Sequence, residues 1–178
     1  MSTGIRGEYE KYGVAEFYRR FGASYRNPHE EIVHRSLEKV VDCWRLDLTR
    51  VLDLAAGSGE VSVLVRAMGA GAVDGIDPMT QEAYQARVGQ PAEPFSFEDV
   101  AAGVLAGRSY SLIVCSFALH LCEPSRLPGL CQQLALLAPI LLVVTPHKRP
   151  EIREEWGWVL RDEILIDRVR TRVYTARV

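Results

Sequence analysis

Val51-Leu52-Asp53-Leu54-Ala55-Ala56-Gly57-Ser58-Gly59-Glu60 reads as a buried strand, a tight glycine turn and the opening of a helix. Val51 to Leu54 is a short apolar run, the pattern of a strand covered on both faces. Gly57 and Gly59 can adopt backbone angles closed to other residues, and without Cβ atoms they let a ligand approach the main chain. The helix that follows directs unpaired N–H groups at whatever lies above the turn. A nucleotide-like ligand is expected there, with the rest of the chain as its holder.

Upstream, Tyr9 to Phe21 carries Tyr12, Phe17, Tyr18 and Phe21 among charges and predicts a short amphipathic helix after a loose stretch over 1–8. Asn27-Pro28-His29-Glu30 predicts a helix start, with Asn as the cap, Pro in the first helical position and Glu at the third. Val33, Leu37, Val40, Val41 and Trp44 then form one apolar stripe that should pack on a sheet. Beyond the glycine turn, Val61, Leu64, Val65 and Met68 make another helical stripe, ended by Gly69 to Gly71. A second strand is expected over 72–76, closing on Asp77-Pro78, then a helix over 80–88 and a short third strand over 94–97. Glu98-Asp99 opens a helical turn towards Ala106, and a fourth strand spans 111–115. Pro128 starts a helix bearing Leu130, Leu134 and Leu137, and 140–144 is the most apolar strand. This alternation predicts an α/β fold, a doubly wound, mostly parallel sheet of six or seven strands with helices on both faces. Near the end, 151–158 reads as helical with Gly157 interrupting it, and Arg168, Arg170 and Arg172 alternate with Val169, Thr171 and Val173 as a strand. No Gly, Pro or Asn between Trp158 and Val178 offers a tight turn for a final hairpin, and without that hairpin the sheet should have six strands.

At 178 residues the chain suits one domain, with 1–28 as an N-terminal lid and 29–178 as the core. Hydrophobic residues at 48% and charged ones at 25% are an ordinary globular mix, and a net charge of -2 builds in no pull towards nucleic acid or an anionic membrane. Cys43, Cys115, Cys122 and Cys131 lie among apolar residues with no CxxC pair, so reduced packing residues are expected rather than disulfides or a zinc site. Met1 to Glu10 lacks the apolar core of a signal peptide, and no apolar run approaches the roughly 20 residues that span a bilayer. The expectation is a cytoplasmic protein with no membrane partner.

Asp53, Gly57, Gly59 and Asp77 place an acid before the turn, two alternating glycines in it, and an acid at the end of the next strand. That second acid can accept hydrogen bonds from both ribose hydroxyls of an adenosine. The constellation resembles the class I S-adenosylmethionine-dependent methyltransferases, whose Rossmann-like fold carries Asp-x-Gly-x-Gly-x-Gly after a buried strand. Here the motif stands as Asp53-Leu54-Ala55-Ala56-Gly57-Ser58-Gly59, with Ala55 in place of the first glycine. A nicotinamide or flavin domain would want Gly or Ala at Ser62 and would bring a pyrophosphate against Glu60; no Gly-Lys-Ser/Thr of a P-loop occurs. The resemblance covers about residues 30 to 145. It implies S-adenosyl-L-methionine as cofactor, held by Asp53, Leu54, Ala55, Gly57 and Gly59, with ribose contact by Asp77 beside Pro78 and adenine packing by Met79. Glu98 and Asp99 fall where the family places an acid near the adenine amino group, although a helix N-terminus favours carboxylates anyway. Cys115 and Ser116 would lie beneath the methionine part, and Tyr18, Tyr25 or Arg26 would reach its carboxylate, unless these merely pack at a helix start.

Cys115-Ser116-Phe117-Ala118 lacks the Asn/Asp-Pro-Pro-aromatic run of enzymes that methylate amino groups of bases or glutamine, and no Asp and His set for magnesium is evident. His120 follows the fourth strand and His147 the fifth, both at the carboxyl edge, and either is a candidate catalytic base or a structural histidine. Trp156 and Trp158 are expected in the core, and the Arg168, Arg170 and Arg172 face is expected to be solvated, with an acidic partner as the alternative. The functional expectation is methyl transfer to a small-molecule acceptor. The alternatives are a catalytically silent cofactor-binding partner protein, or a methyltransferase acting on protein or RNA.

Overall fold

The strand expected at 51–54 runs Arg50–Leu54 (β1) and lies inside a six-stranded sheet of order β2-β1-β3-β4-β6-β5. The computed structural model describes residues 13–177, so the stretch 1–8 and residues 9–12 of the first expected helix lie outside it. The described elements are α1 (Val14–Phe21), α2 (Glu30–Trp44), β1, α3 (Glu60–Ala67), β2 (Ala72–Ile76), α4 (Gln81–Val88), α5 (Phe97–Ala101), β3 (Leu112–Ser116), α6 (Leu127–Leu137), β4 (Ile140–Thr145), β5 (Trp158–Ile166) and β6 (Val169–Ala176). Strands β1 to β4 are parallel, and β6 joins β4 antiparallel and carries β5.

Alternation along the central strands divides the core in two. Leu52, Leu54, Ile113, Cys115, Leu141 and Val143 face α5, α6 and Trp158, whereas Val51, Leu112, Val114, Leu142 and Val144 face the stripes of α2 and α3. Asp53 shares the second face with Val51, which aims its carboxylate at α3. Gly59 sits at φ 86 against α4, and a Cβ there would stand 2.4 Å from the Val88 side chain. Asn27 does not cap α2 as expected: its side chain accepts the His29 N–H at 2.9 Å in a turn ahead of the helix, the regular helix starts at Glu30 with His29 in the cap position, and Glu30 pairs with Arg87 instead of closing a capping box.

Three further expectations are corrected, and the hairpin that the sequence left open is decided. The third strand over 94–97 shrinks to a single bridge between Ile76 and Glu93, because Pro94 brings no N–H to a ladder and Ser96 with Asp99 forms the capping box of α5. The helix over 151–158 is only the 3-10 turn Glu154–Trp156, cut off at Gly157 where buried Trp158 opens β5 and donates Nε1–H to the Cys131 carbonyl at 2.9 Å. The final hairpin exists, with Asp167 (φ 46) and Arg168 (φ 68) as a two-residue turn lacking glycine. Six strands therefore result from the missing strand beside β2, not from a missing hairpin. The arginine face is not solvated as a whole: Arg172 is buried, paired with Glu163 at 2.6 Å. Cys115, Cys122 and Cys131 are free and buried, as their apolar neighbours suggest, while Cys43 is exposed. Among the described residues no helix is long and apolar enough to cross a membrane.

Candidate functional site

The carboxyl ends of β1, β2 and β3 open onto one cavity of about 380 Å³, at the point where the chain leaves β1 towards β2 on one side and β3 on the other. Its floor is Leu54, Ala55, Ala56 and Gly57; its walls are Asp77, Pro78 and Met79 on one side and Ser116, Phe117 and Ala118 on the other. Phe95, Phe97 and Glu98 close the far end, and Tyr18, Tyr25 and Asn27 cover the top. The Tyr25 ring lies over Gly57, where a Cβ would come within 3.3 Å of it.

Asp77 ties the turn to the second strand. One carboxylate oxygen accepts the Gly57 N–H at 3.1 Å, and the other accepts the N–H groups of Met79 at 2.8 Å and Thr80 at 3.0 Å. Thr80 completes the loop by donating its hydroxyl to the Gly57 carbonyl at 2.7 Å. About one acceptor site remains for a ligand hydroxyl, since an ionised carboxylate offers about four. Buried Asp53 accepts both the N–H of Ser62 at 3.0 Å and its hydroxyl at 2.7 Å, and Tyr84 stands 2.9 Å behind that hydroxyl. Ser62, where a dinucleotide fingerprint would want glycine, thus serves as the partner of Asp53. Burial chiefly, and the neighbouring charges of Glu60 and Asp77, push the Asp53 carboxyl up to about 8. Glu60, also buried, accepts the Asn27 N–H at 3.1 Å and the Ser58 hydroxyl, so the turn's own carboxylate anchors the covering segment.

The four acids Asp53, Glu60, Asp77 and Glu98 line the cavity, and among the described residues no Lys, Arg or His does. Such a wall repels a pyrophosphate and suits a cationic ligand with ribose hydroxyls and an apolar ring. The residues present fit an adenosyl sulfonium: glycines for close approach, an acid at the ribose position, and Met79, 42% exposed, free to lie on a base.

A protein of Schizosaccharomyces pombe described as uncharacterized is 36% identical over 188 aligned residues, spanning 82% of this chain and 76% of its own. Structures with this arrangement include a Synechocystis magnesium protoporphyrin IX methyltransferase with bound SAH, 18% identical with TM-score 0.64 over 99% of this chain and 95% of that one. The chain belongs to the fission yeast protein's family and has the class I methyltransferase fold. A TehB-like SAM-dependent methyltransferase of Corynebacterium glutamicum (14% identical, TM-score 0.62, covering 97% and 100% of the two chains) and a Pyrococcus horikoshii protein (14% identical, TM-score 0.67, covering 94% and 99%) share that fold. No family model matches the chain.

Within this methyltransferase fold, the cavity gathers Asp53, Leu54, Ala55, Gly57, Asp77, Pro78, Met79, Glu98, Ser116 and Tyr25. Three residues expected at the cofactor stand elsewhere. Gly59 shapes the turn from behind, Asp99 is spent on the Ser96 cap, and Cys115 is completely buried below the floor, its thiol pushed up by desolvation. His120 and His147 lie beyond the lining, ring against ring at 4.4 Å. His120 is exposed by area, yet its ring is crowded enough that desolvation, and then His147, lowers its pKa to about 4. Phe95, Phe97, Phe117 and Leu121 were not singled out from sequence, because apolar residues after a strand look like core until the topology brings them to one edge.

Ala55 occupies the family's first glycine position at φ 58. Left-handed backbone costs a residue with a Cβ about 1–2 kcal/mol, partly offset by the greater unfolded freedom of glycine. Ala55→Gly is therefore expected to stabilise the fold by about 0.5–1 kcal/mol, seen as a small rise in melting temperature; a fall would show that the methyl group packs usefully in the floor.

Proposed function

We propose that this chain is an S-adenosylmethionine-dependent methyltransferase acting on a small-molecule acceptor. The observation that carries the reading is the cavity set over the glycine turn and lined, among the described residues, by four acids and no cation. When bound there, the cofactor supplies a methyl group already activated by the positive charge on its sulfur. The chain's own residues then have three tasks. Asp77 orients the ribose, Asp53 and Glu60 face the positive charge, and the segment Tyr18 to Asn27 excludes water from above. The acceptor side lies towards Ser116, Phe117, Ala118 and Leu121, with His120 and His147 just outside. A neutral His120 can accept a hydrogen bond from an acceptor but is a weak base for carrying a proton away. A small molecule is favoured by a cavity of about 380 Å³ and by a net charge of -2, which carries no basic surplus towards RNA.

Calorimetry with S-adenosylmethionine, S-adenosylhomocysteine and NAD tests the reading. Both adenosyl compounds are expected to bind and NAD is not; failure of both to bind would sink it. Incorporation of labelled methyl into a metabolite extract then separates an enzyme from a silent cofactor-binding partner.

A further inference from the structure

The acceptor side of the cavity has a character of its own. His29 stacks on Phe117 with ring centroids 4.9 Å apart and planes at 18°, making a flat outer wall beside Ala118 and half-exposed Leu121. The loop after β4 meets this wall through the His120–His147 contact. That loop is built, not slack: Thr145 Oγ1 accepts the His147 N–H at 3.1 Å, and the buried guanidinium of Arg172 donates to the Lys148 carbonyl at 3.0 Å while Glu163 holds its other side at 2.6 Å. The next two side chains, Lys148 and Arg149, are exposed and form no ion pair with any described residue. The edge of the sheet thus pairs a flat apolar wall with two uncommitted positive charges, opposite in sign to the cofactor cavity.

We propose that the methyl acceptor is a flat, apolar acid whose carboxylate oxygen receives the methyl group, with Lys148 and Arg149 as its countercharge and Arg172 as the positioning residue of their loop. The proposal rests on the methyltransferase reading above. A lone pair of the carboxylate oxygen forms the O–CH3 bond, the methyl–sulfur bond breaks, and its electron pair stays on sulfur as the neutral thioether. No proton is released, so no base is needed. A hydroxyl or ammonium acceptor would need one, and His120, held down to about 4, is a poor one.

The test uses the full chain saturated with S-adenosylhomocysteine and three matched probes, 2-naphthoate, 2-naphthol and 2-naphthylamine, in calorimetry. Naphthoate is expected to bind at least about tenfold more tightly than the other two, the effect of one or two charge-assisted contacts. A Lys148→Ala/Arg149→Ala double variant should lose that margin while naphthol binding stays unchanged, with its melting temperature as the check on folding. Naphthoate that binds no better than naphthol, or a margin that survives the double variant, overturns the proposal. Label transferred from methyl-labelled cofactor into a metabolite extract should be released by mild base as volatile methanol, and base-stable label overturns it as well. Absence of S-adenosylhomocysteine binding would instead count against the methyltransferase reading.

Discussion

Asp77→Ala is expected to weaken S-adenosylhomocysteine binding by about a hundredfold or more and to lower the melting temperature by roughly 4–10 °C. The first effect follows from losing the charged acceptor of a ribose hydroxyl, a bond worth about 1.5–3 kcal/mol, together with the carboxylate's hold on the Gly57 turn. The second follows from the three N–H groups of Gly57, Met79 and Thr80 that the same carboxylate satisfies. Asp77→Asn separates the two. Its carbonyl oxygen can still accept from Met79 and Thr80, so most stability should return while affinity stays low. Calorimetry beside thermal melting decides the matter, and Asp77→Ala binding within threefold of wild type would refute the ribose assignment.

Asp53→Asn is expected to change the pH dependence of stability most. A carboxyl raised to about 8 keeps its proton in the folded state, whereas the unfolded chain releases it near 4. Between those values the folded state binds more protons, so wild-type stability should fall as pH rises from about 4 to about 8. Asn cannot ionise and can still accept from the N–H and hydroxyl of Ser62. The variant should therefore match wild type near pH 4 and exceed it at pH 9 by on the order of 3–5 kcal/mol. A fixed positive charge in the cavity favours ionised Asp53, so S-adenosylmethionine should release a proton on binding near pH 7 where S-adenosylhomocysteine does not. Calorimetry in two buffers of different ionisation enthalpy measures this. A wild-type melting temperature flat from pH 5 to 9 would contradict the assignment.

Much of the cofactor side was legible because its signals are local. A strand, a turn with positive φ and a helix start each depend on a few neighbouring residues, and these place Asp53, Gly57 and Asp77 at the cavity. The acceptor side was not legible for the opposite reason. His29 meets Phe117 and His120 meets His147 only once three crossovers bring the ends of α2, β3 and β4 to one edge. Glu60 was readable as an obstacle to phosphate, but its grip on Asn27 spans 33 positions and needs the tertiary fold.

Periodicity and turn chemistry alone pointed to the parallel core and to a nucleotide-like ligand at its edge, because apolar alternation and glycine placement act at short range, and the motif resemblance narrowed that ligand to S-adenosylmethionine. The tertiary structure decided the margins of the sheet. A strand beside β2 was lost where Pro94 has no N–H to pair and the Ser96–Asp99 cap began a helix instead. A hairpin was gained without a turn glycine, since the ladder of β5 and β6 and the packing of Val169 and Val173 outweigh the strain at Asp167 and Arg168. Only that hairpin puts Arg172 under the loop of Lys148 and Arg149, and so only the folded chain shows what holds that loop at the carboxyl edge of the sheet.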